Sequence, residues 1–213
     1  MATSGKVGAV YAPVTNIDGD ILKESTTDTF SGDGTQTTFE LSNEYIYPKS
    51  QVVTVDGSQP VSNKYTLDYI NGTIEFSEPP TDDVDNVSVE YDYLGDDNGD
   101  VLEQAAGFFE WEFDEEANLE ESPEFGDEVV THTSTIPQWS GSADKYWSVD
   151  DKFQDWLGEL VVVAFYIDTT DGAKRRFEGW GTVGDKSVEC PVDTLVEEGI
   201  SFESESKLEY RQA

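Results

Sequence analysis

The sequence predicts a mainly β chain in two parts. A small β-sandwich over residues 26–95 is inserted near the start of a larger β domain made of 1–25 and 96–213. Three observations predict this. Short runs rich in Val, Ile, Thr, Tyr and Phe alternate with period two along most of the chain. Asp-Gly and Asn-Gly pairs punctuate those runs, as they do in tight hairpins. Only one segment, 148–158, has apolar residues at the one-face spacing of a helix.

The elements follow in order. Residues 6–12, KVGAVYA, read as a short apolar strand. The stretch TFSGDGTQTTFEL (29–41) places Gly32-Asp33-Gly34 between two Thr/Phe arms. A dinucleotide loop requires a third glycine opening a helix, and here a β-branched, aromatic run follows. A calcium loop of the EF-hand kind requires alternating acids and a closing glutamate. The remaining reading is a turn that feeds a strand, by the turn chemistry of Gly and Asp. Residues 51–55 run into Asp56-Gly57. The pair Asn71-Gly72 predicts a two-residue type I′ turn between 65–69 and 73–76. Pro79-Pro80 ends that strand. Val87, Val89, Tyr91 and Tyr93 then share one face, with Ser88, Glu90 and Asp92 on the other.

After an acidic linker at 95–100, Phe108 to Phe113 form an aromatic strand. It leads into an acidic, proline-bearing stretch, 115–128, expected as a long hairpin or an extended loop. Residues 129–136 alternate as a strand, and 137–147, PQWSGSADKYW, read as a turn-rich connection. Ser148 can cap a helix whose apolar face is Val149, Phe153, Trp156 and Leu157, with Gly158 as its stop. A buried strand at 160–167, a hairpin turn at Asp171-Gly172, its return at 174–183, and last strands at 187–192 and 200–210 complete the chain.

The charge narrows the function. Asp and Glu number 46 against 12 Lys and Arg, a formal net charge of −34. Between 96 and 129 there are fourteen acids and no base. Duplex DNA is gripped by neutralising its phosphates with Lys and Arg, so this chain cannot hold it tightly. A dispersed acidic surface repels itself unless salt screens it; at about 1 M the Debye length falls to roughly 3 Å. The expectation is a protein of an extreme halophile or of its virus, the alternative being an acidic low-salt protein such as a calcium binder. The start, MATSGKVGAV, has no apolar run of the signal-peptide kind. The run 160–167 is too short to span a bilayer.

No reaction emerges from the residues. His132 is the single histidine and falls in a strand; Cys190 is the single cysteine, read as a small hydrophobe in a strand. That pair excludes an ordinary zinc site within one chain. Carboxylates are too many to nominate a catalytic pair. The runs Asp18-Gly19-Asp20 and 96–100 lack EF-hand spacing. No cofactor is expected beyond weak calcium or magnesium binding by acidic loops. The tryptophans at 111, 139, 147, 156 and 180 could stack on sugars, but in a β-rich chain they are expected in a core or a subunit interface.

One order of features resembles a known family. The N-terminal strand, the aromatic strand at Phe108, Ser122-Pro-Glu-Phe-Gly-Asp127, Trp139-Ser-Gly, a helix, a strand at 160–168 and Phe177-Glu-Gly-Trp-Gly181 occur in the order found in the major tail tube protein of long-tailed phages. The resemblance covers roughly 1–21 and 107–212. The 26–94 part resembles the small immunoglobulin-like domains common in phage structural proteins, here placed near the N-terminus rather than the C-terminus.

That resemblance implies a tail-tube barrel or sandwich with one flanking helix and an inserted immunoglobulin-like sandwich. It also implies six copies to a ring, rings stacked into a DNA-conducting tube, and no catalysis. Partners would be further copies, a tape measure, a tail terminator and a baseplate. The place would be the virion tail of a haloarchaeal tailed virus, after synthesis in the host cytoplasm. The residues matching the family's assembly segments are Lys6, Val7, Val10 and Tyr11 in the N-terminal arm, and Glu115, Leu119, Pro123, Phe125 and Asp127 in the long loop. Trp139 and Trp180 are expected to hold the core. The alternative reading is a haloarchaeal surface module whose tryptophans hold carbohydrate.

Overall fold

The structure is a computed structural model. It describes residues 9–16, 18–60, 64–97, 99–105, 107–117, 119–121, 132–134, 137–147, 153, 155–167, 175–192 and 195–212. Sixteen β-strands account for most of these, and the fold is mainly β. Two compact units divide the chain: Met1–Tyr11 with Gln104–Ala213, and Ala12–Glu103. The inserted unit thus starts before 26 and ends after 95. Its outer turns are held by backbone bonds from Val14 N to Val101 O and from Gly95 N to Leu22 O.

In the inserted unit, strands β2 (Lys23–Gly32), β3 (Thr38–Glu40), β4 (Val52–Val55), β5 (Tyr65–Asp68), β6 (Thr73–Phe76) and β7 (Asp83–Leu94) follow the alternating runs. They form two three-stranded antiparallel sheets, ordered β2-β7-β4 and β3-β6-β5. Phe39, Ile74 and Phe76 from one sheet meet Val53, Val87, Val89 and Tyr91 from the other in a single cluster. Period two produces this sandwich, since every second residue of β7 from Val87 to Tyr91 is turned inward.

Its turns separate the Asp-Gly pair from the Asn-Gly pair. Asp56 and Gly57 both adopt positive φ, 51° and 74°, and Val55 and Ser58 exchange backbone bonds across them. That is the type I′ turn. The expected two-residue turn at Asn71-Gly72 is instead a four-residue loop, 69–72, because β5 and β6 pair from Asp68↔Thr73 outward. The Asp68 carboxylate accepts from Ile70 N and Asn71 N, which starts the loop early and lets Ile70 bury its side chain. Gly72, at φ 63°, is required twice over, since a Cβ there would stand 2.1 Å from the Asn43 carbonyl oxygen. The Gly32-Asp33-Gly34 stretch is a turn. The Asp33 carboxylate accepts from Thr35 N and Gln36 N, and those bonds hold it below its ordinary pKa.

The larger unit is built on one antiparallel sheet. Its strands are β1 (Ala9–Pro13), β8 (Leu102–Gln104), β9 (Phe108–Glu116), β12 (Gln138–Tyr146), β13 (Leu160–Tyr166), β14 (Arg176–Glu189) and β15 (Glu197–Ser204), with β16 (Glu209–Arg211) pairing β14. They are ordered β8-β1-β13-β14-β15-β12-β9. A separate pair, β10 (Leu119–Glu121) and β11 (His132–Ser134), is antiparallel, with Glu121 opposite His132. The acidic stretch after β9 therefore begins as a hairpin arm. β13 is buried on both faces, as its unbroken apolar run requires.

Four expectations change here. Residues 138–146 are a nine-residue strand, not a turn-rich connection: Trp139, Gly141 and Ala143 point inward while Ser140, Ser142 and Asp144 point outward. Gly141 fits under the Phe165 ring, where a Cβ would lie 3.2 Å from it. Residues 187–189 continue β14 past a bulge between Val183 and Lys186 rather than opening a new strand. Cys190 lies just beyond that strand and is exposed, rather than a small hydrophobe within a strand. Within the expected helix, Phe153 sits in a 3₁₀ step, and 157–158 are a turn closed by Gly158 at φ 83°. Phe153 and Trp156, three apart, bury both rings from that turn. Residues 148–152 and 154 lie outside the described residues.

Candidate functional site

Across β9, β12 and β15 the two faces of the larger sheet are chemically opposite, whereas β13 is buried on both. The inner face carries Trp111 and Phe113 of β9, Trp139 of β12, Phe165 of β13, Phe177 of β14 and Phe202 of β15. Phe113 meets Phe165 and Phe177 at ring-centroid distances of 6.1 and 4.8 Å. Trp111 meets Phe165 at 5.3 Å. β9 and β13 are separated by three strands in the sheet order, so these contacts require the sheet to curl toward closure around its aromatic side.

Trp139 is the centre of that interior. Its Nε1 donates to the Ser206 carbonyl at 2.9 Å, and its ring lies against Gly179 and Gly181. A Cβ at either glycine would come within 2.9 to 3.0 Å of the indole, so the Gly-x-Gly of β14 is a seat for this ring. Trp180 between them faces the other way and is fully buried.

The outer face of β9, β12 and β15 carries no apolar core. β9 presents Glu110, Glu112, Asp114 and Glu116; β12 adds Ser140, Ser142 and Asp144; β15 adds Glu197, Ser201 and Glu203. The registers place them side by side, Glu112 opposite Ser142 and Ser142 opposite Ser201. None of these positions is Lys or Arg. The result is a carboxylate and hydroxyl surface with little to hold another polyanion.

Four basic residues instead pair with two buried carboxylates, Glu178 on the Trp180 face of β14 and Glu198 on the inner face of β15. Glu178 is fully buried; Arg176 Nε donates to its Oε2 at 2.6 Å and Arg211 Nη1 to its Oε1 at 2.7 Å. This pairing ties the terminal strand β16 to β14. Glu198, also buried, faces Lys186 Nζ at 2.8 Å and Lys145 Nζ at 3.5 Å. Lys145 is itself buried and lies 5.7 Å from the centre of the Phe108 ring and 5.8 Å from that of Phe153. The Glu198 oxygens make these charge contacts without an oriented hydrogen bond. Beside Arg176 and Glu178, burial holds the Tyr166 hydroxyl above its ordinary pKa.

The residues singled out for assembly fall in different places. Val10 is fully buried, paired with Phe165, and Tyr11 stacks on Tyr166 at 4.3 Å, so both pack within the chain. Glu115 is exposed on β9 opposite Trp139, and Leu119 opens β10. Lys6, Val7, Pro123, Phe125 and Asp127 lie outside the described residues. Trp139, Trp156 and Trp180 are buried and Trp111 is half-buried, leaving Trp147 as the exposed tryptophan. An exposed pair that sequence reading missed is Phe109 against Tyr146, 4.8 Å between rings; Trp147, the next residue, is exposed too. Its signal was a β-bulge at Phe109, which period-two counting cannot see.

Among the described residues no group of His, Cys, Asp and Glu is arranged to hold a metal ion. No described helix is long and apolar enough to cross a membrane.

No protein-family model matches the chain, and no curated protein does. One solved structure that matches is described as the tail of an empty GTA particle computed with helical refinement under C6 symmetry. That match covers 55% of this chain and 92% of the other, at a TM-score of 0.42 and 12% identity. Similarity at that level leaves the functional reading to this chain's own residues.

Proposed function

We propose that this chain is a structural virion protein, the repeating subunit of a tail tube. Copies close into hexameric rings, and the rings stack into a hollow conduit for DNA in a tailed virus of a halophilic archaeon. The observation that carries the reading is the two-faced β9, β12 and β15 part of the sheet: an aromatic interior on one side and an acid and hydroxyl face on the other. DNA passing such a face keeps its counterions and does not stick. Strand edges support assembly as well. β9 and β8 end the sheet order, each pairing one neighbour among the described strands, and unpaired edges invite another chain. The order of short motifs shared with tail tube proteins gains a physical sense, since Trp139 of the Trp-Ser-Gly stretch sits on the two glycines of Phe177-Glu-Gly-Trp-Gly181.

On this reading the chain is not an enzyme and needs no cofactor. Its other partners are the tape measure, the terminator and the baseplate of the tail, and its destination is the virion. Negative-stain microscopy of the purified protein in molar salt tests it. Rings and tubes with an open centre are expected; solitary subunits at every salt concentration overturn it.

A further inference from the structure

We infer, independently of the tube reading, that Asn71 is a latent site of spontaneous deamidation, held shut by Asp68 while the inserted unit is folded.

The chain between 12 and 103 contains five Asx-Gly pairs: Asp18-Gly19, Asp33-Gly34, Asp56-Gly57, Asn71-Gly72 and Asn98-Gly99. A glycine has no Cβ to shield its backbone nitrogen, so that nitrogen can attack the carbonyl carbon of the preceding side chain. The aspartates are poor targets, because an ionised carboxylate must first take up a proton. Asp33 resists that further, since bonds from Gln36 N and Thr35 hold it below its ordinary pKa. An asparagine amide needs no such proton. Asn98 lies outside the described residues, and Asn71 is exposed to water.

The conversion consumes only water. Gly72 N bonds to Asn71 Cγ and gives its proton to solvent; the Cγ–Nδ2 bond breaks and the amide leaves as ammonia. Water then opens the cyclic imide at either carbonyl, giving aspartate or isoaspartate.

The folded loop blocks each movement this requires. Gly72 N, the nucleophile, donates to the Asp68 carbonyl oxygen at 3.0 Å. Asn71 Nδ2, the leaving group, donates to Asp68 Oδ2 at 2.7 Å, and Asn71 N donates to Oδ1 at 2.9 Å. One residue therefore holds both reacting groups. The backbone around them is clamped as well. Gly72 O accepts from Leu41 N at 2.7 Å, Ile70 O from Tyr45 N at 3.1 Å and Tyr69 O from Ile46 N at 2.7 Å. Ile70 is buried, and the Asn43 carbonyl closes over Gly72. Cyclisation waits for the loop to detach, so its rate is the free-chain rate multiplied by the open fraction. A converted loop does not reseat in the same way. A carboxylate at 71 would face that of Asp68 where an amide donated before, and like charges at that range repel.

The test incubates the full chain in molar salt at mildly alkaline pH and follows residue 71 by peptide mapping with mass spectrometry. The folded parent is expected to convert about a hundredfold or more slowly than the same chain in concentrated urea. Asp68→Ala is expected to convert about tenfold or more faster than the parent, a hydrogen bond to a charged acceptor being worth that factor. Val87→Ala, which weakens the same core from β7 and leaves Asp68 in place, is the comparison. Conversion of the folded parent at the urea rate overturns the inference, as does Asp68→Ala at the parent rate. Val87→Ala converting as fast as Asp68→Ala assigns the protection to the unit's stability as a whole and overturns the part given to Asp68. Where circular dichroism shows Asp68→Ala unfolded, Asp68→Asn, which keeps an acceptor and loses the charge, takes its place. A rate between those of the parent and the urea-unfolded chain is then expected, and the parent rate overturns the inference.

Discussion

In the inserted unit the polar group drawn into the core is a phenol. Tyr91 donates to Asp28 Oδ2 at 2.7 Å and accepts from Asn43 Nδ2 at 3.2 Å, and Asp28 in turn receives Ser42 N and Oγ. In the larger unit the buried polar groups are ionic: Glu178 between two arginines, and Glu198 between two lysines. The inserted unit keeps its cations outside, Lys23 on Asp92 and Lys64 on Glu78. A chain with only 12 basic residues against 46 acidic ones thus commits four of them to two buried carboxylates. The comparison teaches that the acidic outer face of β9, β12 and β15 is not a plain consequence of composition. In this unit Lys145 and Lys186 lie on the opposite face, and Arg176 and Arg211 are drawn to the buried Glu178 instead.

The two units can be followed separately, because all five tryptophans fall in 104–213 and none in 12–103. Tryptophan fluorescence reports on the larger unit alone. The largest expected effect is Glu178→Ala, which removes the buried carboxylate that Arg176 and Arg211 share. It is expected to destabilise the larger unit by about 3–5 kcal/mol in denaturant titration read by fluorescence. A change below about 1 kcal/mol would make the buried ion cluster incidental and collapse the contrast between units.

Next comes Gly181→Ala. A Cβ there would stand 2.9 Å from the Trp139 ring and 3.1 Å from the Glu203 carbonyl oxygen, and backbone cannot yield as a flexible side chain does. The expected cost is about 1–3 kcal/mol, again by fluorescence. Stability equal to the parent would show that the Gly-x-Gly stretch is not the seat of Trp139.

Tyr91→Phe sharpens the other side of the comparison, with an expected loss of about 1.5–3 kcal/mol for a hydrogen bond to a charged acceptor. It also carries a pH signature. Burial, and then the hydrogen bond to Asp28, raise the Tyr91 hydroxyl from 10.0 to about 12. The folded state holds that proton more tightly than the unfolded one, so the stabilisation is present below pH 10 and is lost as pH rises toward 12. Far-ultraviolet dichroism with tyrosinate absorbance should show the inserted unit weakening in that window, and Tyr91→Phe should remove the dependence. A parent protein with flat stability across the window contradicts the assignment.

The smallest effect belongs to Asp92. Its hydrogen bonds to Lys23 and then Ser25 lower its pKa from 3.8, so its contribution is present above about that pH and disappears as acid protonates it. The pair is largely open to solvent, so Asp92→Asn should cost under about 1 kcal/mol near neutrality and less in brine. Acid titration of the inserted unit in low salt checks this, and a loss as large as that of Glu178→Ala would erase the distinction between exposed and buried charge.

What could be read from the chain depended on periodicity. β7 and β13 were legible because alternation and an unbroken apolar run leave one arrangement each. β12 was not, because Gly141 and Ser142 resemble turn residues, and only the Phe165 ring explains the glycine. The bulges at Phe109 and between Val183 and Lys186 shift the period by one residue, so the exposed pair and the length of β14 were hidden. Glu178 is two residues from both Arg176 and Trp180 and shares their face, yet nothing in the chain pointed to a buried ion site. Arg211, which completes its site, is 33 residues away and arrives only through β16. The arm after β9 was foreseen as a hairpin or a loop; β10 and β11 make it a hairpin at its base.

The most direct test of the account is a helical reconstruction of the protein assembled in molar salt. The account predicts hollow tubes in which Glu112 and Asp114 of the outer β9 face line the central channel. Tubes with that face turned to the outside, or a protein that stays solitary in concentrated salt, would contradict it.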